Sequence, residues 1–213
     1  MPTTTWYEKW VESMNGGEFN PAVTTIAGGP DYGRFAEAVR MLGDHARLVD
    51  APDAVISRAA GLIEQINELL APYDADEWHS PSGRRPDLPN NGGVLGVPSE
   101  LKVVGEGRVA GTVRFRPFHL GRNGAAHGGT LGLLFDSLLG YSAFRLTGGT
   151  RQRTAFLHIN YRSVTPIGRE LQVAATLDRV EGRKIFVSAE LCDGDTVLAD
   201  AEALFVKLNP GQP

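Results

Sequence analysis

His127-Gly128-Gly129, leading into a long apolar helix pattern that contains a single acid, Asp136, is the stretch where residue types and spacing point to chemistry. The first amides of a helix have no partners within it and carry the positive end of its dipole, so they attract an oxyanion. Glycines at 128 and 129 let a ligand come close to that backbone. Asp136 stands among Leu133, Leu134, Phe135, Leu138 and Leu139, where an isolated carboxylate is costly unless it has a partner or a purpose. Gly132 and Gly140, four residues to either side, keep its helix face low and leave room for a substrate or another backbone. The bland alternatives are a glycine-rich connection with a satisfied histidine and an aspartate paired at a subunit contact. His127 and Asp136 are nine residues apart, about 13.5 Å of rise and about 900° of turn, hence half a turn out of phase. If both act on one substrate, two chains must supply them, as a two-fold dimer with two equivalent sites does.

The elements that must position these residues fall into two halves. Helical patterns run from Thr5 to Met14, from Asp31 to Val49 and from Val55 to Leu70. The last carries a stripe of Val55, Ile56, Ala59, Leu62, Ile63, Ile66, Leu69 and Leu70, which is expected to bury itself on the strand-rich half. Residues 74–98 read as a loop, and the domain boundary is placed there: an N-terminal helical extension and linker over 1–95, a domain over 96–208 and a tail over 209–213. Beyond the loop, Val109–Phe115, Thr154–Val164 and the segments around Leu171–Leu177, Ile185–Leu191 and Val197–Phe205 alternate as strands. Short turns at Glu181-Gly182 and Asp193-Gly194-Asp195 make the last three an antiparallel meander. The helix from Gly129 to Phe144 is apolar on every face, so the sheet should curl around it. Thr154 has the opposite alternation parity from Leu157 and Ile159, so a bulge or an interface-facing position is expected there.

Composition narrows the function classes. The 213 residues hold 21 Lys plus Arg against 25 Asp plus Glu, a net charge of −4 that excludes an evenly basic nucleic-acid binder. Cys192 is the only cysteine, so neither an internal disulfide nor a cysteine-rich zinc site can form. His45, His79 and His119 have no partners at ligand spacing, and no metal is expected. No apolar run approaches the roughly 20 residues of a membrane span, and the N-terminus has no signal pattern, so a cytoplasmic protein is expected.

The order and spacing of His127-Gly128-Gly129, Asp136, Thr154–Tyr161 and the closing strand Val197–Lys207 resemble the hotdog-fold acyl-CoA thioesterases. The resemblance is to the phenylacetate-pathway and thioesterase-superfamily-member branch, over roughly residues 95–208. It implies an α+β hotdog fold, an antiparallel sheet wrapped around a long central helix, here preceded by the helical extension. It implies that Asp136 is nucleophile or general base, that the Gly128 amide polarises the thioester carbonyl, that His127 orients the loop or contacts the thioester, and that Thr154 holds the attacking water or the carboxylate. Gly121 stands where many members carry an asparagine six residues before the histidine, and Asn123 is the nearby substitute, grouped with Gly129 as substrate-binding. Arg162, Arg169, Arg183 and Lys184, at strand ends and turns, are the candidates for the nucleotide phosphates. His158 and Asn160 are read as sheet-face or interface residues. The resemblance further implies a homodimer or homotetramer, with no cofactor beyond the coenzyme A of the substrate. Thioester hydrolysis suits these parts: helix amides stabilise the charge developing on the carbonyl oxygen, and a poorly solvated carboxylate is more basic. The alternative is a non-catalytic acyl-CoA or acyl-chain binding protein using the same pocket.

Overall fold

The computed structural model describes residues 24–76, 79–149 and 151–209. The helix expected from Thr5 to Met14 and the tail from residue 210 lie outside the described residues. Two helices come first, α1 (Tyr32–Leu48) and α2 (Asp53–Leu70), the latter running into a short 3-10 turn, Ala71–Tyr73. They are followed by strands β1 (Ser99–Val103) and β2 (Arg108–Arg114), the central helix α3 (Gly128–Leu146), and strands β3 (Gln152–Tyr161), β4 (Glu170–Glu181), β5 (Lys184–Asp193) and β6 (Thr196–Lys207). The strands form one antiparallel sheet in the order β1-β2-β4-β5-β6-β3, so β1 and β3 are its two edges. β1 is one strand more than the alternation alone suggests. It lies so close to β2 that a side chain on Gly111 would run into the Glu100 carbonyl.

The core is the concave face of this sheet filled by α3. Leu131, Leu134, Phe135, Leu138, Leu139 and Ala143 of the helix pack with Val109, Val113, Leu171, Val173, Ile185, Val187 and Phe205 of the strands. The helix is not enclosed on every side, contrary to its sequence pattern. Six strands curl without closing, and Leu133, Asp136 and Ser137 remain exposed on the outer side of α3.

The two N-terminal helices differ in how they attach. α1 is tied to the segment before α3 through Arg116, which meets Asp44 at 2.7 Å and Glu37 at 2.6 Å. Burial alone would lower the Arg116 pKa, but its bonds to the two carboxylates outweigh that and hold it above the ordinary value. Removing the guanidinium leaves Asp44, whose side chain is only 16% exposed, without its cation. R116A should therefore cost about 1–3 kcal/mol, the cost of an unpaired, largely buried charge discounted for the exposure of Glu37. Thermal unfolding of the variant checks this, with a loss of roughly 2–4 °C per kcal/mol at this chain size.

α2 overturns the expectation that its stripe is buried on the strands. Val55, Ile56, Leu62, Ile66, Leu69 and Leu70 are all exposed, and the helix packs chiefly on its own Ala71–Tyr73 turn. The reason lies in the sheet. Its inner face is already filled by α3, and its outer face carries polar pairs such as His158–Glu202, Asn160–Asp200 and Ser188–Asp178. No apolar sheet face remains for α2.

Candidate functional site

The loop that delivers His127 is fixed from three directions. The Ala126 amide donates to the Thr165 carbonyl and the His127 amide to the His119 carbonyl, both at 2.8 Å. From α1, the Arg47 guanidinium reaches the carbonyls of Leu120 and Gly121 at 3.2 and 3.1 Å. Leu120 pairs with Ala126 across a tight hairpin whose central residues are Asn123 (φ 53°) and Gly124 (φ 76°), closed by the Ala125 amide on the Arg122 carbonyl. Two successive positive φ angles define the type I′ turn, for which Asn-Gly is the preferred pair. The turn thus accounts for Asn123 as a residue type.

His119, buried between this loop and α1, accepts from the Arg116 amide through Nδ1 at 3.0 Å. Burial pushes its pKa below the ordinary histidine value, with Asp44 opposing and Arg116 adding to the effect. Because the unfolded chain binds this proton at a higher pH than the folded one, stability falls as pH drops below about 6.5, down to the folded pKa. A titration of melting temperature against pH should show this slope flatten in H119N, whose amide oxygen can still accept from Arg116.

His127 caps α3. Its Nδ1 accepts from the Gly129 amide at 3.0 Å, so Nδ1 is unprotonated and the neutral ring carries its hydrogen on Nε2. The amides of Thr130 and Leu131 turn back to the His127 carbonyl. Among the described residues none accepts from the Gly128 amide, which leaves it as the open donor at the positive end of the helix. The Tyr161 hydroxyl donates to the Gly128 carbonyl at 3.0 Å and holds that peptide in place. This role for Tyr161 carries no sequence signal beyond an aromatic residue ending a strand.

Asp136 is not sunk among its leucine neighbours. The carboxylate lies on the exposed side of α3 and turns toward the edge strand β3. The Thr154 hydroxyl donates to its Oδ1 at 3.0 Å, and among the described residues none donates to Oδ2. The contact depends on a register shift between Thr154 and Phe156, a bulge that absorbs Ala155 and turns Thr154 onto the helix-facing side with Leu157 and Ile159. The flanking glycines do not leave a wholly open face. Side chains added there would meet Ile159 at Gly132 and the Phe205 ring at Gly140, and the Gly140 carbonyl already accepts from Gln152.

Gly128 and Asp136 remain apart within one chain. Eight helical residues separate them by about 12 Å, whereas hydrogen-bond reach is roughly 3 Å. Their tethers lie toward opposite ends of β3, Tyr161 for Gly128 and Thr154 for Asp136. Among the described residues β3 pairs only with β6, which leaves its other edge open along ten residues. The side chains of Phe156 and Tyr161 are exposed on that strand.

The four basic candidates do not form one cluster. Arg162 pairs with Asp200, and Arg169 with Asp193 at 2.7 Å, both at the end of the sheet nearest the start of α3. Arg183 and Lys184 lie at the other end, where the Arg183 Nε donates to the Lys207 carbonyl at 2.9 Å. Between them runs the ten-residue length of β5, roughly 33 Å at the rise of an antiparallel strand. In one chain they cannot hold a single nucleotide together.

Residues 123–199 match the family model of the thioesterase superfamily. Acyl-coenzyme A thioesterase THEM4 of Xenopus laevis is 34% identical over 96 residues, covering 44% of this chain and 42% of the relative. Acyl-coenzyme A thioesterase THEM5 of Mus musculus is 30% identical over 94 residues, covering 43% of this chain and 37% of the relative. The chain therefore spans about two fifths of the length of these curated relatives. The crystal structure of a thioesterase superfamily protein superposes with a TM-score of 0.70 at 26% identity, covering 87% of this chain and 95% of that one.

Proposed function

We propose, from the premise that residues 123–199 belong to the thioesterase superfamily and that the domain around them has the hotdog fold, that this protein hydrolyses acyl-CoA thioesters to coenzyme A and a carboxylic acid. Asp136 acts as general base or nucleophile, and the Gly128 amide stabilises the charge that develops on the thioester oxygen. His127 keeps Gly129 engaged so that Gly128 alone presents its hydrogen, and Thr154 steers the carboxylate. The names of the matched relatives support the reaction.

The separation of Gly128 from Asp136 carries the rest of the reading, because it requires the site to be completed by a second copy. The open edge of β3 suits antiparallel pairing with itself about a two-fold axis. Centred near Leu157 and His158, midway between Thr154 and Tyr161, such pairing sets Asp136 of one protomer beside Gly128 of its partner. The same operation places Arg183 and Lys184 of one copy at the end of the continuous sheet where its partner has Arg162 and Arg169. The phosphates of coenzyme A are then gripped by residues from two chains. Thiol release from a panel of acyl-CoAs, with sedimentation of the same sample, tests the proposal. Release by a homodimer is expected. A folded dimer that binds acyl-CoA stoichiometrically and releases no thiol would overturn the catalytic reading.

A further inference from the structure

We infer that the space between α1, α2 and the segment 94–98 is a binding site for an uncharged, largely apolar small molecule carrying one hydrogen-bond acceptor. It is separate from the candidate thioester site and does not depend on the reading proposed for that site.

A cavity of about 400 Å³ lies there, within the range of roughly 300–1,000 Å³ typical of small-molecule sites. α1 lines it with Val39, Leu42 and Ala46, α2 with Ile63, and the facing wall with Leu95 and Phe118. Gly128, Asp136 and Thr154 take no part in it. Its surface is almost wholly apolar, and Leu95 and Phe118 are still 64% and 50% exposed. Apolar area left open beside a concavity is the area that a ligand gains by covering.

The polar groups of the wall decide what such a ligand carries. His119, only 5% exposed, borders the cavity, and its ring meets those of Phe115 and Phe118 edge to face. Because Nδ1 accepts from the Arg116 amide at 3.0 Å, the neutral ring holds its hydrogen on Nε2. Among the described residues no acceptor meets that hydrogen. Arg40 also borders the cavity, and among the described residues its Nε has no acceptor either. Both unpaired groups are donors, so the complementary ligand group is an acceptor such as a ketone, ester or amide carbonyl.

Charge argues against a carboxylate. The two guanidinium groups at the cavity are already matched, Arg116 by Glu37 and Asp44 at 2.6 and 2.7 Å, and Arg40 by Glu37 at 3.5 Å. Burial holds His119 below the ordinary histidine pKa, so the ring supplies no positive charge near pH 7. A carboxylate buried there would lack a counter-charge, whereas a carbonyl needs none.

The test uses three molecules of one shape: 4-phenyl-2-butanone, which has a carbonyl, butylbenzene, which lacks it, and 3-phenylpropanoate, which is charged. Binding to the full chain is followed by ligand-observed NMR, with thermal melting as the check of fold. The ketone is expected to bind saturably, one molecule per chain. Butylbenzene should bind roughly fivefold more weakly or worse, the cost of leaving one buried donor unpaired. The carboxylate should also bind more weakly than the ketone. A46F fills the cavity from an exposed helix position and should abolish saturable binding of the ketone. H119N keeps an acceptor for the Arg116 amide but withdraws the Nε2 hydrogen, and should bring the ketone down to the affinity of butylbenzene. Coenzyme A in excess should leave the ketone bound. No binding of the ketone to wild type, equal binding of ketone and butylbenzene, or a preference for the carboxylate would overturn the inference without recourse to any variant. Unchanged binding in folded A46F would overturn it by placing the ligand elsewhere. Displacement by coenzyme A would do so by making the cavity part of the thioester site.

Discussion

D136N should lower kcat for thiol release by roughly 10²–10⁴, the range expected when a positioned proton acceptor or nucleophile is lost. The substitution keeps size and shape, and the asparagine oxygen can still accept from Thr154 Oγ1, 3.0 Å away in the native arrangement. Stability should therefore stay within about 0.5 kcal/mol of wild type, as for other exposed positions. KM should change little, because the carboxylate matters to the transition state more than to bound substrate. Initial rates on a good acyl-CoA, with melting curves on the same sample, measure all three. Near-normal turnover in D136N would remove Asp136 from the chemistry and with it the proposed mechanism.

The sequence pattern anticipates much of this arrangement where local rules decide the outcome. Strand alternation finds β2 to β6, and the mismatched parity of Thr154 anticipates the bulge at Ala155 that turns its hydroxyl onto the helix-facing side. Pattern fails where the outcome depends on which surface is left over. The stripe on α2 is apolar enough to be buried, but α3 has already taken the one apolar face of the sheet. The apolar surround of Asp136 in sequence likewise does not become an apolar surround in space, because the incompletely closed sheet leaves that side of α3 open. Proximity in kind also misleads: Arg162, Arg169, Arg183 and Lys184 all lie at strand ends, yet at two opposite ends. The resemblance names Gly128 as the donor, but the contact that suits it to that role, the His127 ring on the Gly129 amide, has no residue pattern of its own in the sequence.

The proposed division of the site between two chains leads to a quantitative expectation. G128P deletes a single hydrogen-bond donor with little harm to the fold. Position 128 is the first residue of α3, where proline is favoured, and His127 before it has φ −67° and ψ 134°, the extended conformation that a following proline requires. A β-carbon there would lie 3.5 Å from the Tyr161 ring, an ordinary contact. Loss of one oxyanion donor should lower kcat by roughly 10²–10³ in G128P alone. Mixed with D136N under conditions of subunit exchange, half of the dimers become hybrids. Each hybrid has one site built from the intact Asp136 of one chain and the intact Gly128 of the other, and one site damaged in both. Activity should then rise from near zero to about a quarter of wild type, the fraction set by two-fold symmetry with random exchange. If each chain instead carried a complete site, every site in the hybrid would keep one lesion and mixing would restore nothing. The rise on mixing therefore separates a shared site from a self-contained one, independently of the acyl chain used.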